Sequence, residues 1–214
     1  ESVLSCMGVS SHVYELMIIL DGRDGGELEG SLIWAESLDG CRVFRPGRKM
    51  GIAGCLNFAL PLVQTKYVAR ADADDVNLPS RFDALFEALE QGYSLVGAQV
   101  QEVDRFGNLL GVRKVPLSDS AIRKFIRYRN PFNHMTVGFD RDMVLALGGY
   151  PDYFGREDYG LWVKLVARGC RVKNLGDLSV LAQADYSMIG RRGGVGHLIP
   201  EICLQRDLVV SGLS

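Results

Sequence analysis

The sequence predicts an α/β domain whose strands run mostly parallel, with helices crossing between them. Three observations carry that expectation. Short unbroken apolar runs such as "ELMIILD" (residues 15–21) read as strands buried on both faces. Segments with helical apolar spacing alternate with these runs through the first half of the chain. Finally, 214 residues with 47% apolar and 23% charged composition can bury one full core, and no linker, repeat or low-complexity stretch divides them. A single domain over residues 1–214 follows.

Each element has a local reason. The first strand stops at Asp21-Gly22, a turn pair. Residues 26–38 place Leu28, Leu32 and Ala35 at helical spacing, and "CRVFRPG" is a second strand halted by Pro46-Gly47. "GIAGCLNFALPLV" predicts a helix with Ile52, Leu56, Ala59 and Leu60 on one face, ended or kinked by Pro61. "KYVARA" is the third strand. "LPSRFDALFEALEQG" is the clearest helix, with Pro79 in its first turn, Phe82, Leu85, Phe86 and Leu89 on one face, and Gly92 terminating it.

Further on, "SLVGAQVQEVD" and "LLGVRKV" are extended segments joined by a turn at Phe106-Gly107-Asn108. "SDSAIRKFIRYR" is a helix capped by Ser118 or Asp119, and "HMTVGFD" is a short strand. "REDYGLWVKLVARG" is a helix with Leu161, Leu165 and Val166 inward and Gly169 closing it. "CRVKNLG" and "LSVLAQA" read as two more strands. The glycine-rich "IGRRGGVGHL" reads as a mobile loop before a final helix.

Composition excludes several functions. A net charge of −2, with 24 basic residues scattered among 26 acidic ones, leaves no footprint for nucleic acid. No stretch approaches the roughly 20 apolar residues that span a bilayer, and no basic segment followed by an apolar one opens the sequence as a signal peptide would. Five widely spaced cysteines without a CxxC pair read as reduced core thiols of a cytoplasmic protein.

The chemistry concentrates in "YVARADADDVNLPSRF", residues 67–82. On an extended backbone Asp72 and Asp74 project to one side and Asp75 to the other. Two carboxylates on one side suit a hard divalent cation, whose remaining ligands phosphate oxygens can supply. The same residues would also serve a solvated turn that caps the next helix.

That stretch closely resembles the strand, DxD motif and helix of the inverting family-2 glycosyltransferases of the GT-A fold. Four further segments fall in the family's order: "ELMIILDG", "GRKMGIAGCLNFAL", "NPFNHMTVGFDRDMVLALGGY" and "GREDYGLWVKLVARG". The resemblance spans nearly the whole chain, and "GREDYGLW" looks most like enzymes that build bacterial capsule and exopolysaccharide. It implies a Rossmann-like, mixed and mostly parallel sheet flanked by helices, with a nucleotide-binding half over about 1–105 and an acceptor half over about 106–214. The family's opening apolar strand has no counterpart here, so the expectation is a piece of a longer protein whose sheet lacks its first strand.

The resemblance also assigns roles. Asp74 is the Mg²⁺ or Mn²⁺ ligand, with Asp72 assisting the metal or holding the ribose and Asp75 behind them. Asp158 is the base that takes the acceptor's proton, with Glu157 the alternative; the helix dipole alone would also favour this pair. Asp21 resembles the residue that reads the nucleotide base. Arg48, Lys49 and Asn57 are candidates for facing the nucleotide, and Arg191 and Arg192 for closing over its diphosphate. His134 is read as a satisfied histidine at the acceptor wall and Trp162 as packing.

The implied reaction moves a sugar from a nucleoside diphosphate-sugar, UDP-sugar foremost, to a hydroxyl of a saccharide or lipid-linked acceptor. It implies a protein in the cytoplasm, with peripheral membrane association at the inner face of the plasma membrane compatible. A nucleotidyltransferase, which would release pyrophosphate, and a non-catalytic nucleotide- or saccharide-binding domain are the rival readings.

Overall fold

The computed structural model describes residues 1–7, 12–22, 26–183 and 198–213. Helix α1 (Ser2–Met7) leads to a two-stranded parallel sheet, β1 (Leu16–Ile19) beside β2 (Cys41–Phe44), bridged by α2 (Glu29–Glu36). After α3 (Gly51–Ala59) come β3 (Tyr67–Ala69), β4 (Val76–Asn77), α4 (Arg81–Glu90), β5 (Leu95–Val103) and β6 (Leu109–Arg113). The second half holds α5 (Asp119–Phe125), β7 (Gly138–Asp140), α6 (Arg141–Ala146), α7 (Glu157–Ala167), β8 (Val172–Gln183) and α8 (Leu198–Val210).

The larger sheet has the order β3-β7-β5-β8-β4, with β6 added on β5. Among the described residues no ladder joins it to the β1–β2 pair, so the sheet is divided. Apolar burial holds the two parts together: Val13, Leu16 and Tyr67 pack on a cluster of Phe82, Leu85, Leu89 and Val96. Fully burying a side chain of that size stabilises by roughly 1.5–3 kcal/mol, enough in sum to anchor a two-stranded sheet.

The pairing corrects part of the sequence reading. Parallel pairing holds for β1–β2 and β5–β8, whereas β3–β7, β5–β7, β5–β6 and β4–β8 are antiparallel. A strand–helix alternation orders elements along the chain, but it does not fix which strand lies beside which. The two strands expected after residue 170 are one continuous strand, β8, with register shifts against β5 near Gly97–Gln99. Ile52, expected inward, is 53% exposed, while Leu60 is buried on the 3₁₀ turn that follows α3 at Pro61.

Most of the main core belongs to the second half. Leu161, Trp162, Val163, Leu165 and Val166 of α7 are all buried, with Ile122 and Ile126 beneath. Gly160 lets this helix lie against the loop before it, because a Cβ there would sit 2.6 Å from Pro151 and 2.8 Å from the Tyr153 ring. α5 is shorter than the sequence suggests, and Ser118 caps it by accepting from the Ala121 N–H. All five cysteines are free; Cys6, Cys41 and Cys170 are buried, whereas Cys55 and Cys203, read as core thiols, are half-buried.

Candidate active site

The acidic residues lie just past β3. The strand ends at Ala69, and residues 73–74 form a turn in which the Asp75 N–H bonds the Asp72 carbonyl. That turn corrects the alternation argument: instead of pointing away, Asp75 joins the pair. Carboxylate oxygens of Asp72, Asp74 and Asp75 lie within 4.8 Å of one another. Asp74 is exposed, Asp72 half-buried and Asp75 buried.

One Asp75 oxygen, Oδ2, is buried without a hydrogen-bond partner. Burial, then the charges of Asp72 and Asp74, push its carboxyl up to about 7. A buried carboxylate short of one partner among two others fits a cation, which would satisfy the orphan oxygen and relieve the repulsion.

Two arginines frame the turn, neither singled out from sequence. Arg70 pairs with Asp72 at 2.8 Å. Arg81, 1% exposed, bonds the Asn77 side chain and the Arg70 carbonyl, and reaches the Met135 carbonyl at 2.7 Å. It thus grips both ends of the acidic turn and the neighbouring 3₁₀ segment 134–136. Burial holds it down to about 10. Helix α1 adds a hydroxyl to each end, Ser2 to the Asp72 carbonyl and Ser5 to Asn77. "LPSR" could have flagged Arg81, since a lone arginine facing the core side of an amphipathic helix must find carbonyls or acids there.

The second acidic pair opens α7, as expected. Asp158 is half-buried: its Oδ2 accepts from Asn130 Nδ2 at 2.6 Å and its Oδ1 from the Tyr159 N–H at 2.7 Å. Burial pushes its carboxyl up to about 6, with Glu157 adding to the rise and the two donors opposing it. Tyr159 ties the helix start to the Ile126 carbonyl at 2.5 Å.

An aromatic block links the elements that carry the two acidic groups. Tyr150 is 2% exposed, and its hydroxyl lies 3.2 Å from His134 Nε2; both rings pack on Trp162. The block thus joins the 134–136 segment, which Arg81 ties to the acidic turn, to Trp162 of α7, the helix that carries Asp158. His134 is held down to about 3 by burial and by Arg70, so it is a neutral imidazole, and Trp162 is fully buried packing.

Other candidates are held elsewhere. Asp21 accepts from the Met50 and Gly51 N–H groups at the start of α3, and the Met50 bond chiefly lowers its pKa. Asn57 donates to the Tyr150 carbonyl at 2.8 Å and accepts from the Tyr150 N–H at 2.9 Å. Its amide ties α3 to the aromatic block. Arg48 and Lys49 line an open cavity of about 520 Å³ beside α3, together with Met50, Gly54, Asn57 and Phe58. Arg191 and Arg192 lie outside the described residues.

The glycosyl transferase family 2 model matches residues 1–145. The chain belongs to that family, and its fold is the GT-A arrangement. It is 34% identical over 196 residues to the amylovoran biosynthesis glycosyltransferase AmsE of Erwinia amylovora, covering 90% of this chain and 73% of that one. It is 32% identical over 195 residues to an Escherichia coli UDP-Gal:alpha-D-GlcNAc-diphosphoundecaprenol beta-1,3-galactosyltransferase, covering 89% and 70%.

Among solved structures, S. aureus TarS 1–349 with UDP-GlcNAc superposes with a TM-score of 0.73 at 13% identity, over 97% of this chain and 61% of that one. GalNAc-T7 with UDP, GalNAc and Mn²⁺ also gives 0.73, at 14% identity, over 95% and 44%. The chain therefore spans less than two thirds of both structures.

Proposed function

We propose that this chain catalyses inverting transfer of a sugar from a UDP-sugar to a hydroxyl of a saccharide or lipid-linked acceptor during bacterial surface polysaccharide synthesis. The observation that carries this reading is the pairing of a three-carboxylate turn with a separate, raised carboxylate on α7, the two linked through Arg81, the 134–136 segment and Trp162. The names of two relatives, amylovoran biosynthesis and a diphosphoundecaprenol-linked acceptor, support the substrate class. Among the described residues no helix is long and apolar enough to cross a membrane.

In this reading Asp74 and Asp72 hold Mn²⁺ or Mg²⁺, and Asp75 completes the acidic set. The cation's contribution is to neutralise charge on the departing diphosphate. Arg48 and Lys49 face the nucleotide from their cavity and Asp21 is next to them; Arg191 and Arg192 meet the diphosphate. Asp158 takes the proton of the acceptor hydroxyl as that oxygen bonds to the anomeric carbon. The bond from that carbon to the diphosphate oxygen breaks on the opposite face, and the electron pair leaves with the nucleoside diphosphate. A carboxyl raised to about 6 is still ionised at neutral pH while being more basic than an ordinary aspartate. Glu157 is the neighbour of the acceptor.

The test is Asp158→Asn assayed for nucleoside diphosphate release from UDP-sugars with Mn²⁺, alongside UDP binding. The expected result is a fall in kcat of at least about a hundredfold with UDP binding kept, general-base catalysis being worth roughly 10²–10⁴. Unchanged turnover would remove Asp158 from its role, and pyrophosphate as product would indicate nucleotidyl transfer instead.

A further inference from the structure

Asn130 opens the segment "NPFNHM" but is given no role by the family resemblance, and its side chain hydrogen-bonds Asp158 at 2.6 Å. It follows α5 and precedes Pro131, whose fixed φ limits how the segment can move. Its amide is used at both ends: Nδ2 donates to Asp158 Oδ2 at 2.6 Å, and Oδ1 accepts from the Phe132 N–H at 3.2 Å. The second bond fixes which end is which. An amide whose oxygen is bound to a backbone donor has to present its N–H₂ to the carboxylate.

Asp158's other oxygen is pinned by the Tyr159 N–H of its own helix. The carboxylate is therefore bound on both oxygens, by two donors that come from different segments. We propose that Asn130 is a positioning residue for the transfer reaction, fixing the orientation of the Asp158 carboxylate and keeping it ionised at neutral pH. This rests on the assignment of Asp158 as the base.

The physical basis is a balance. Burial and the neighbouring charge of Glu157 favour the protonated acid, while the Tyr159 N–H and the Asn130 amide favour the carboxylate. Among the described residues Tyr150 is a further titratable group that interacts electrostatically with Asp158, and it is neutral because burial raises it far out of range. Of the side chains that oppose protonation, Asn130 is the one that donates a hydrogen bond. Without it the acid form gains, and the carboxylate also loses its constraint on rotation.

Asn130→Asp separates this role from a purely structural one. It retains an acceptor for the Phe132 N–H, and so the turn, but it sets an oxygen against Asp158 where an N–H₂ stood. Two carboxyl groups sharing that contact hold a proton more tightly than one alone. Asn130→Ala removes both bonds and is read by the same measurements.

The experiment has two readouts: the pH profile of kcat, and the titration of Asp158 followed by ¹³C NMR of carboxyl-labelled aspartate, assigned with Asp158→Asn. Expected for Asn130→Asp is an acid limb displaced upward by about one pH unit or more, hence roughly fivefold lower turnover near pH 6 and about tenfold lower well below it, with KM for the donor and UDP binding unchanged. The Asp158 resonance should move with it. A wild-type profile and titration in both variants would overturn the proposal. Asp158→Asn that retains turnover would instead overturn the base assignment, so the two failures are distinguishable. Because the titration needs no catalysis, it decides the question even in a variant too slow to assay.

Discussion

Asp75→Asn should make the metal-free protein more stable at pH 8. Asp75 is 5% exposed, its Oδ2 has no hydrogen-bond partner, and two more carboxylates stand within 4.8 Å. Its carboxyl is raised from an ordinary 3.8 to about 7, first by burial and then by Asp72 and Asp74, against the weaker pull of Arg113 and Arg81. The sign follows from proton binding. Between these values the folded chain holds a proton that the unfolded chain has released, so stability falls as pH rises from about 4 through about 7. At 1.36 kcal/mol per pH unit the full displacement amounts to about 4 kcal/mol, an upper value since relaxation and water entry reduce it.

Asparagine keeps the shape and loses the charge. In chelator at pH 8 the variant should exceed the wild type by about 2–4 kcal/mol, or on the order of 10 °C in Tm for a chain of this size. Near pH 4 the two should coincide. Urea unfolding at both pH values measures this directly. Added Mn²⁺ should reverse the order at pH 8, since a bound cation stabilises the folded wild type and the variant offers it one carboxylate fewer. A variant no more stable than wild type at pH 8 in chelator would refute the reasoning.

Other expectations follow from named contacts. Arg81→Met strips the Arg70 and Met135 carbonyls and the Asn77 amide of their donor, and should cost about 3 kcal/mol or more in urea unfolding together with weaker Mn²⁺ binding. Gly160→Ala places a methyl against Pro151 and Tyr153 and should destabilise by about 1–3 kcal/mol, with kcat falling because the displaced helix start carries Asp158. Chelation should abolish UDP-induced stabilisation in a melting assay, and Asp74→Asn should give the same loss with Mn²⁺ present. The wild-type kcat should rise through about pH 6 as Asp158 ionises, measured by nucleoside diphosphate release.

Much of the site was legible because its residues lie in short, ordered motifs. "ADADD" and "GREDYG" mark the two acidic groups, and the apolar runs beside them mark the strand and helix that carry them. Partners that lie far along the chain were not legible. Asn57 reads as a polar position on a helix near the nucleotide, but its amide is engaged by the backbone of Tyr150, 93 residues away. Asp21 reads as a base-reading residue, and its carboxylate meets the first N–H groups of α3, 29 and 30 residues on.

By itself the sequence determined the α/β class, the helix limits set by Ser118, Gly169 and Pro61, and the acidic clusters, because periodicity, caps and turns are local properties of neighbouring residues. Tertiary structure alone decided the mixed strand pairing, the turn that brings Asp75 in beside Asp72 and Asp74, Arg81's grip on that turn, and the contact of Asn130 with Asp158. Those depend on burial and on bonds between distant segments. A carboxyl or guanidinium has one chemistry in water and another where the fold removes the water and chooses its neighbours.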